Sequence, residues 1–185
     1  SADNLIITAG AWATDLLRPL NLNLTVVRKP LFWFESGETY DMESGCPAFF
    51  YETPEGSFYG FPSIDESGLK VAEHTSGDPV SDPLNLDRSL QKNDKIKIDN
   101  FIARHLPKMN SARMTDHKVC MYTRSEDEHF IVDNMPGSSN VSFVAGLSGH
   151  GFKMASVLGE IMADLAVNKS TNHPIEFLSA NRFNQ

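Results

Sequence analysis

The sequence predicts an α+β fold: a mixed, largely antiparallel sheet in the middle of the chain, with βα pieces at both ends. Three observations carry this expectation. Between Leu24 and Thr75, runs rich in β-branched and aromatic residues follow one another across short turns, as antiparallel neighbours do. Near the C-terminal end, an apolar run passes through Gly146, Gly149 and Gly151 into a stretch with helical periodicity. At the start, a short apolar run ends at Ala9-Gly10 and is followed by a helical turn.

Taken in order, Leu5 to Thr8 reads as a strand and Trp12 to Leu17 as a turn of helix. Leu24 to Glu35 reads as a long strand, with Arg28, Lys29 and Pro30 as an interruption. Ala48 to Glu52, Ser57 to Phe61 and Leu69 to Thr75 read as three more strands. Pro54-Glu55-Gly56 supplies a hairpin turn, and Asp65 to Gly68 a second polar turn. Gly77 to Asp87, polar and holding Pro79 and Pro83, is expected to be loop. Ile98, Phe101, Ile102 and Leu106 fall at helical spacing. Lys118 to Thr123 and Phe130 to Asp133 read as strands around the acidic loop Ser125 to Glu128. Val141 to Ala145 is the last strand. Its helix has Ser148 as candidate cap and Met154, Val157, Leu158, Ile161 and Leu165 as apolar stripe. Ends that differ in character from the middle predict a discontinuous second domain.

Composition narrows the function classes. The 185 residues suffice for a sizeable core, and 41% hydrophobic with 22% charged residues describes an ordinary globular protein. A net charge of -8 argues against nucleic acid or an anionic membrane as partner. No run approaches the roughly 18 unbroken apolar residues of a membrane span. Cys46 and Cys120 form neither a disulfide framework nor a zinc motif, so a reduced, cytoplasmic setting is the expectation. Six histidines lie scattered without a metal-binding spacing, and no metal is expected. The first residues enter a buried-looking strand without a polar lead-in, as in a fragment of a longer chain.

Three groups carry chemistry. Lys70 and His74, four apart on a strand, project from one face and would suit an anionic substrate or redox intermediate. Two solvated polar residues are the simpler reading of that pattern. Cys120 and Tyr122 share a strand face, with Val119 and Met121 on the other. A lone cysteine in a strand is more often a small buried hydrophobe than a reactive thiolate. In "GLSGHGFKM", Gly146 to Met154, the start of a helix favours an electron-rich group, with Lys153 adding a full charge. Its glycines would let a flat ligand approach the backbone, or would serve tight strand–helix packing; both readings stand.

The four stretches "LIITAGAWATDLL", "YGFPSIDESGLKVAEH", "KVCMYT" and "GLSGHGFKMASVLGE" occur in the order found in the sarcosine oxidase family of flavin amine oxidases, which this chain resembles over almost its whole length. The strand "VRKPLFWFE" and the tail "LSANRF" incline the resemblance toward members acting on N-methyl-L-tryptophan. It matches the C-terminal half of that family; the N-terminal G-x-G-x-x-G fingerprint has no counterpart in this sequence. The resemblance implies FAD as cofactor, bound covalently through Cys120, with Tyr122 following it. It further implies that Lys70 promotes reaction with oxygen, that His74 lies near the substrate, and that Tyr59 lines the substrate cavity. Lys153 would hold the substrate carboxylate. Gly149, His150, Gly151 and Phe152 would meet the flavin's pyrimidine edge, and Gly10 to Trp12 would belong to the cofactor domain.

The implied fold is that of an FAD-dependent amino-acid oxidase: residues 1–20 and 140–185 from the FAD-binding domain and C-terminal tail, and residues 21–139 as substrate-binding domain. The implied reaction takes an N-methyl amino acid (N-methyl-L-tryptophan or sarcosine) and oxygen to the amino acid, formaldehyde and hydrogen peroxide. Phe49, Phe50 and Phe58 would suit a bulky substrate side chain, although aromatics in a sheet are more often core. The chain alone, without the nucleotide-binding half of the same protein, is expected to be colourless and inactive. A non-catalytic module that binds a small acid or self-associates is the alternative reading. A deaminating oxidase fits less well, because "KVCMYT" suits covalent flavin attachment.

Overall fold

The computed structural model describes residues 2–183. In chain order the elements are β1 (Leu5–Ile7), α1 (Ala13–Leu16), β2 (Thr25–Phe34), β3 (Phe49–Thr53), β4 (Gly56–Phe61), β5 (Leu69–Glu73), β6 (Asp78–Pro79), α2 (Lys92–His105), β7 (Met114–Arg124), β8 (Ile131–Asn134), β9 (Val141–Ala145) and α3 (Ala155–Val167), with short 3-10 turns between them. Contacts divide the chain into two units. The first comprises the described residues up to Val27, Pro79–Leu84 and those from Met121 onward; the second comprises Arg28–Asp78 and Asn85–Cys120. Among the described residues, no helix is long and apolar enough to cross a membrane.

In the first unit, β1 pairs parallel with β9 (Leu5↔Val141 to Ile7↔Phe143), and β9 pairs antiparallel with β8 (Ile131↔Ala145 to Asn134↔Ser142). Alternation sends Ile131, Phe143 and Ala145 into one cluster with Ala13 and Leu17. It sends Val132 and Val144 into another, with Leu158, Ile161, Met162 and Leu165 of α3. A strand buried on both faces reads as a nearly continuous apolar run, and in "VSFVA" Ser142 is the one polar residue. The tail is tied back by Asp133, whose carboxylate accepts from the Ser179 hydroxyl at 2.7 Å and the Ala180 N–H at 2.9 Å. Arg182 grips Asp127 in bidentate fashion at 2.7 and 3.0 Å.

The expected cap of the last helix is corrected. Ser148 has φ of 49° and is buried, its hydroxyl donating to the Gly146 carbonyl at 3.0 Å. Helical structure begins only at Phe152, as a 3-10 turn leading into α3. Ser148 closes the glycine turn, a local side-chain-to-backbone bond typical of serine.

In the second unit the sheet runs β3-β4-β5-β2, with β6 and β7 also paired to β2. One face of this sheet buries Phe32, Phe34, Phe58, Leu69 and Val71 against Ile98, Phe101 and Ile102 of α2. Phe58 stacks on Phe101 at 4.4 Å with 11° between the rings. β2 continues through Arg28, Lys29 and Pro30, so the expected interruption is also corrected. Pro30 falls just before the paired stretch Leu31↔Ala72 to Phe34↔Leu69, where its missing N–H leaves that ladder intact. Both charges are buried and bonded internally. The Arg28 guanidinium reaches Asp94 at 2.7 Å and the carbonyls of Asp87 (2.9 Å) and Ser89 (2.6 Å). The Lys29 ammonium donates to the carbonyls of His74 (3.3 Å), Thr75 (2.7 Å) and Ser76 (3.2 Å).

α2 begins six residues earlier than the apolar spacing predicts, because its first turn is held by polar bonds. Gln91 and Asp94 form a capping box, with the Asp94 carboxylate accepting the Gln91 N–H at 3.0 Å. Asp94 thus serves a helix start and a buried ion pair together.

Two consequences are measurable by chemical denaturation of the intact protein. Arg28→Met leaves Asp94 buried without its partner and is expected to cost about 3–5 kcal/mol. Arg182 is also the main reason the Asp127 carboxyl titrates at about 2, below its ordinary 3.8. With the folded value depressed, the stability is present above the unfolded value and lost as pH falls through the folded one. Asp127→Asn is expected to cost roughly 1 kcal/mol at neutral pH, the pair being partly exposed, and the deficit to shrink between about pH 5 and about pH 2.

Candidate functional site

The second face of the β3-β4-β5-β2 sheet is the site's floor. Register places Trp33, Lys70 and Phe61 opposite one another on β2, β5 and β4, and Tyr59 opposite Phe50 on β3. Residues opposite or two apart share a face, so these side chains all project away from the Phe58–Phe101 core. They form a continuous row. The Lys70 ammonium lies 5.2 Å from the Trp33 ring centroid and 5.5 Å from that of Phe61. Phe61 meets Tyr59 edge to face at 6.0 Å, and the His74 ring lies 6.4 Å from Tyr59 and 5.8 Å from Phe50. His74 sits one residue beyond β5, its N–H donating to the Ser57 carbonyl at 2.7 Å. The structure therefore brings Lys70, His74 and Tyr59 together, as the sequence spacing predicts for the first two.

The partition of aromatics differs from the sequence expectation. Phe58 is core and Phe49 packs against it, so neither can line a substrate cavity on this face. Phe50 alone of the three projects there, 55% exposed.

Cys120 is exposed, whereas the simplest sequence reading makes it a small buried hydrophobe; Val119 is the neighbour that packs inward. Lys70 is half-buried, and burial pulls its ammonium below the usual lysine range, while the Cys120 sulfur acts in the opposite direction. Lys118 pairs with Asp116 at 3.0 Å. Lys70, which the local sequence around the cysteine does not contain, is thus a cation close enough to Cys120 to feel its charge.

Tyr122, Gly149, His150, Gly151, Phe152, Lys153, Gly10 and Trp12 lie in the first unit. There the glycines serve packing. A Cβ on Gly149, whose φ is +83°, would fall 2.2 Å from the Tyr122 ring; one on Gly151 would fall 2.4 Å from Leu147. The turn is anchored by the Ser148 N–H donating to the Thr123 carbonyl at 2.9 Å. His150 keeps Nδ1 3.1 Å from the Ser148 carbonyl and its ring 4.8 Å from Phe130. Phe152 is 97% exposed, and Lys153 and Trp12 are exposed beside it and after β1 respectively. Gly10 has φ of +55° with open space where a Cβ would stand.

Sequence reasoning missed Trp33 and Phe61, the two rings around Lys70. Each looks locally like one more strand aromatic, and only cross-strand register shows what it faces. For the glycine turn, Gly149→Ala is expected to cost about 2 kcal/mol or more, from the left-handed backbone and the Tyr122 contact together. Adding Tyr122→Ala should recover only the contact part, as a double-mutant cycle in chemical denaturation would show.

The family model described as FAD dependent oxidoreductase (DAO) matches residues 1–165. Monomeric sarcosine oxidase of Arthrobacter sp. (strain TE1826) is 40% identical over 186 residues, a match covering 98% of this chain and 48% of that protein. N-methyl-L-tryptophan oxidase of Citrobacter koseri is 37% identical over 186 residues, covering 100% of this chain and 49% of that protein. Among solved structures, glycine oxidase from Geobacillus kaustophilus superposes with a TM-score of 0.77 at 19% identity, covering 98% of this chain and 46% of that one. The chain spans about half the length of the curated relatives it matches. Its fold is that of the FAD-dependent amino-acid oxidases. The chain belongs to the DAO family of FAD-dependent oxidoreductases.

Proposed function

We propose that the protein to which this chain belongs is an FAD-dependent oxidase that demethylates an N-methyl amino acid, and that this chain is its C-terminal half. The observation that carries the reading is the exposed Cys120 thiol interacting with the half-buried Lys70 ammonium, on a sheet that also presents Tyr59 and His74. The residues present fit the ring end of a flavin: an accessible sulfur, a cation and a broad aromatic surface. In this reading residues 21–139 form the substrate-binding domain, and residues 1–20 and 140–185 belong to the FAD-binding domain and tail.

FAD, when bound, supplies a two-electron acceptor that oxygen can re-oxidise. Cys120 Sγ would hold the ring through a thioether, with Tyr122, Gly149, His150, Gly151, Phe152 and the Gly10–Trp12 segment around it. Lys153 would pair with the substrate carboxylate, and Tyr59 and His74 would orient the substrate amine and side chain. The exposed Phe50 ring supports an apolar or aromatic substrate side chain. Lys70 would stabilise the negative charge that oxygen acquires as it takes up electrons, a role for a cation in a low-dielectric setting. In the net reaction, the N-methyl carbon loses two electrons and a proton and the nitrogen its proton, giving an imine. Water splits the imine into formaldehyde and the free amino acid, while oxygen gains two electrons and two protons as hydrogen peroxide.

The test is product stoichiometry in the FAD-loaded, full-length protein given N-methyl-L-tryptophan or sarcosine. Equal yields of formaldehyde and hydrogen peroxide are expected; release of methylamine and a 2-oxo acid in place of formaldehyde would mean a deaminating oxidase and overturn the reading. Flavin is expected to stay with the acid-precipitated protein and to pass to the supernatant in Cys120→Ser. Flavin retained by that variant would place the attachment elsewhere.

A further inference from the structure

Trp33 and Phe61 carry no individual role in the proposed function, yet both rings meet Lys70. Lysine on an open sheet face ordinarily extends its ammonium into water. Here its direct register partners on both neighbouring strands are aromatic, Trp33 on β2 and Phe61 on β4. Strands about 4.8 Å apart place such side chains in contact. Both ring centroids, at 5.2 and 5.5 Å, fall within the range where an ammonium is attracted to the negative face of an aromatic ring. Trp33 is half-buried and Phe61 is 48% exposed, so neither ring fills the Phe58–Phe101 core. Two rings held at the surface on either side of one lysine do little for packing and much for that lysine.

We infer that Trp33 and Phe61 are positioning residues that bracket the Lys70 ammonium by cation–π contacts and hold it at the point where oxygen reacts. The inference rests on the proposed role of Lys70 and deepens it. An unbracketed lysine would sample many rotamers and hydrate fully, presenting its charge in the required place only part of the time. The bracket fixes the charge and strips part of its water without introducing a carboxylate, which would neutralise the field that an oxygen anion needs. Leucine replacements keep an apolar neighbour beside the ammonium and remove the ring attraction.

The experiment compares FAD-loaded, full-length protein with Phe61→Leu, Trp33→Leu, Trp33→Phe and Lys70→Met. The first readout is independent of turnover: the ε-methylene resonance of Lys70 in lysine-labelled protein, identified by its loss in Lys70→Met. Ring currents should shift it upfield of exposed lysines, and each leucine variant should move it back while Trp33→Phe keeps most of the shift. The second is stopped-flow re-oxidation of the substrate-reduced protein, expected to slow about 3- to 10-fold in the leucine variants, with recovery in Trp33→Phe. The loss should fall on the oxygen reaction more than on anaerobic reduction. A Lys70 resonance at the exposed-lysine position in the unsubstituted protein would overturn the bracket. So would normal re-oxidation in folded leucine variants when Lys70→Met is slow. Normal re-oxidation in Lys70→Met itself would overturn the oxygen-handling part of the inference together with the assigned role of Lys70, and leave the bracket to stand or fall on the resonance.

Discussion

Period-two alternation in the β3-β4-β5-β2 sheet is the constraint on which the candidate site depends. Burying Phe32, Val71 and Phe58 against α2 fixes the register of three strands at once. The same register then has no choice but to send Trp33, Lys70, Phe61 and Tyr59 to the other face. A slip of one residue would bury a lysine and expose a phenylalanine core, so hydrophobic burial and placement of Lys70 are specified by the same contacts. The site inherits its geometry from the core beneath it.

Buried charge on β2 reinforces that register. Arg28 and Lys29 stand side by side on β2, and each reaches a different segment: one the start of α2, the other the turn after β5 that carries His74. Pairing a buried charge does not by itself raise stability relative to an apolar pair, but it admits few alternative partners. Three carbonyls converging on one ammonium define the path of residues 74–76 more narrowly than apolar contact would.

The strands of the second unit were legible from sequence because turn chemistry at Pro54–Gly56 and Asp65–Gly68 bounds alternating segments, and β9 was legible from its apolar run. The site was legible where two of its members, Lys70 on β5 and His74 just beyond its end, lie four apart in the chain. What crosses strands was not. Whether Phe49, Phe50 or Phe58 faces outward depends on register with β4 and β5, and the exposure of Cys120 depends on what β7 packs against. Arg28 and Lys29 resembled a break because their partners lie dozens of positions away. Ser148 looked like a cap because serine bonds nearby backbone equally well in a tight turn. Places are legible in the chain only where neighbours in space are also neighbours in sequence.

The parallel pairing of Leu5–Ile7 with Val141–Ala145 has a consequence for the order of events during synthesis. Strands of the second unit lie close in the chain, and β3, β4 and β5 can pair as soon as they leave the ribosome. β1 must wait for β9, which is made long after it, and β8 completes its pairing only then. Closing so long a loop is slow, and apolar segments awaiting partners are where nascent chains aggregate. Within this chain, the interval between synthesis of residues 7 and 141 is the one in which β1 lacks its β9 partner.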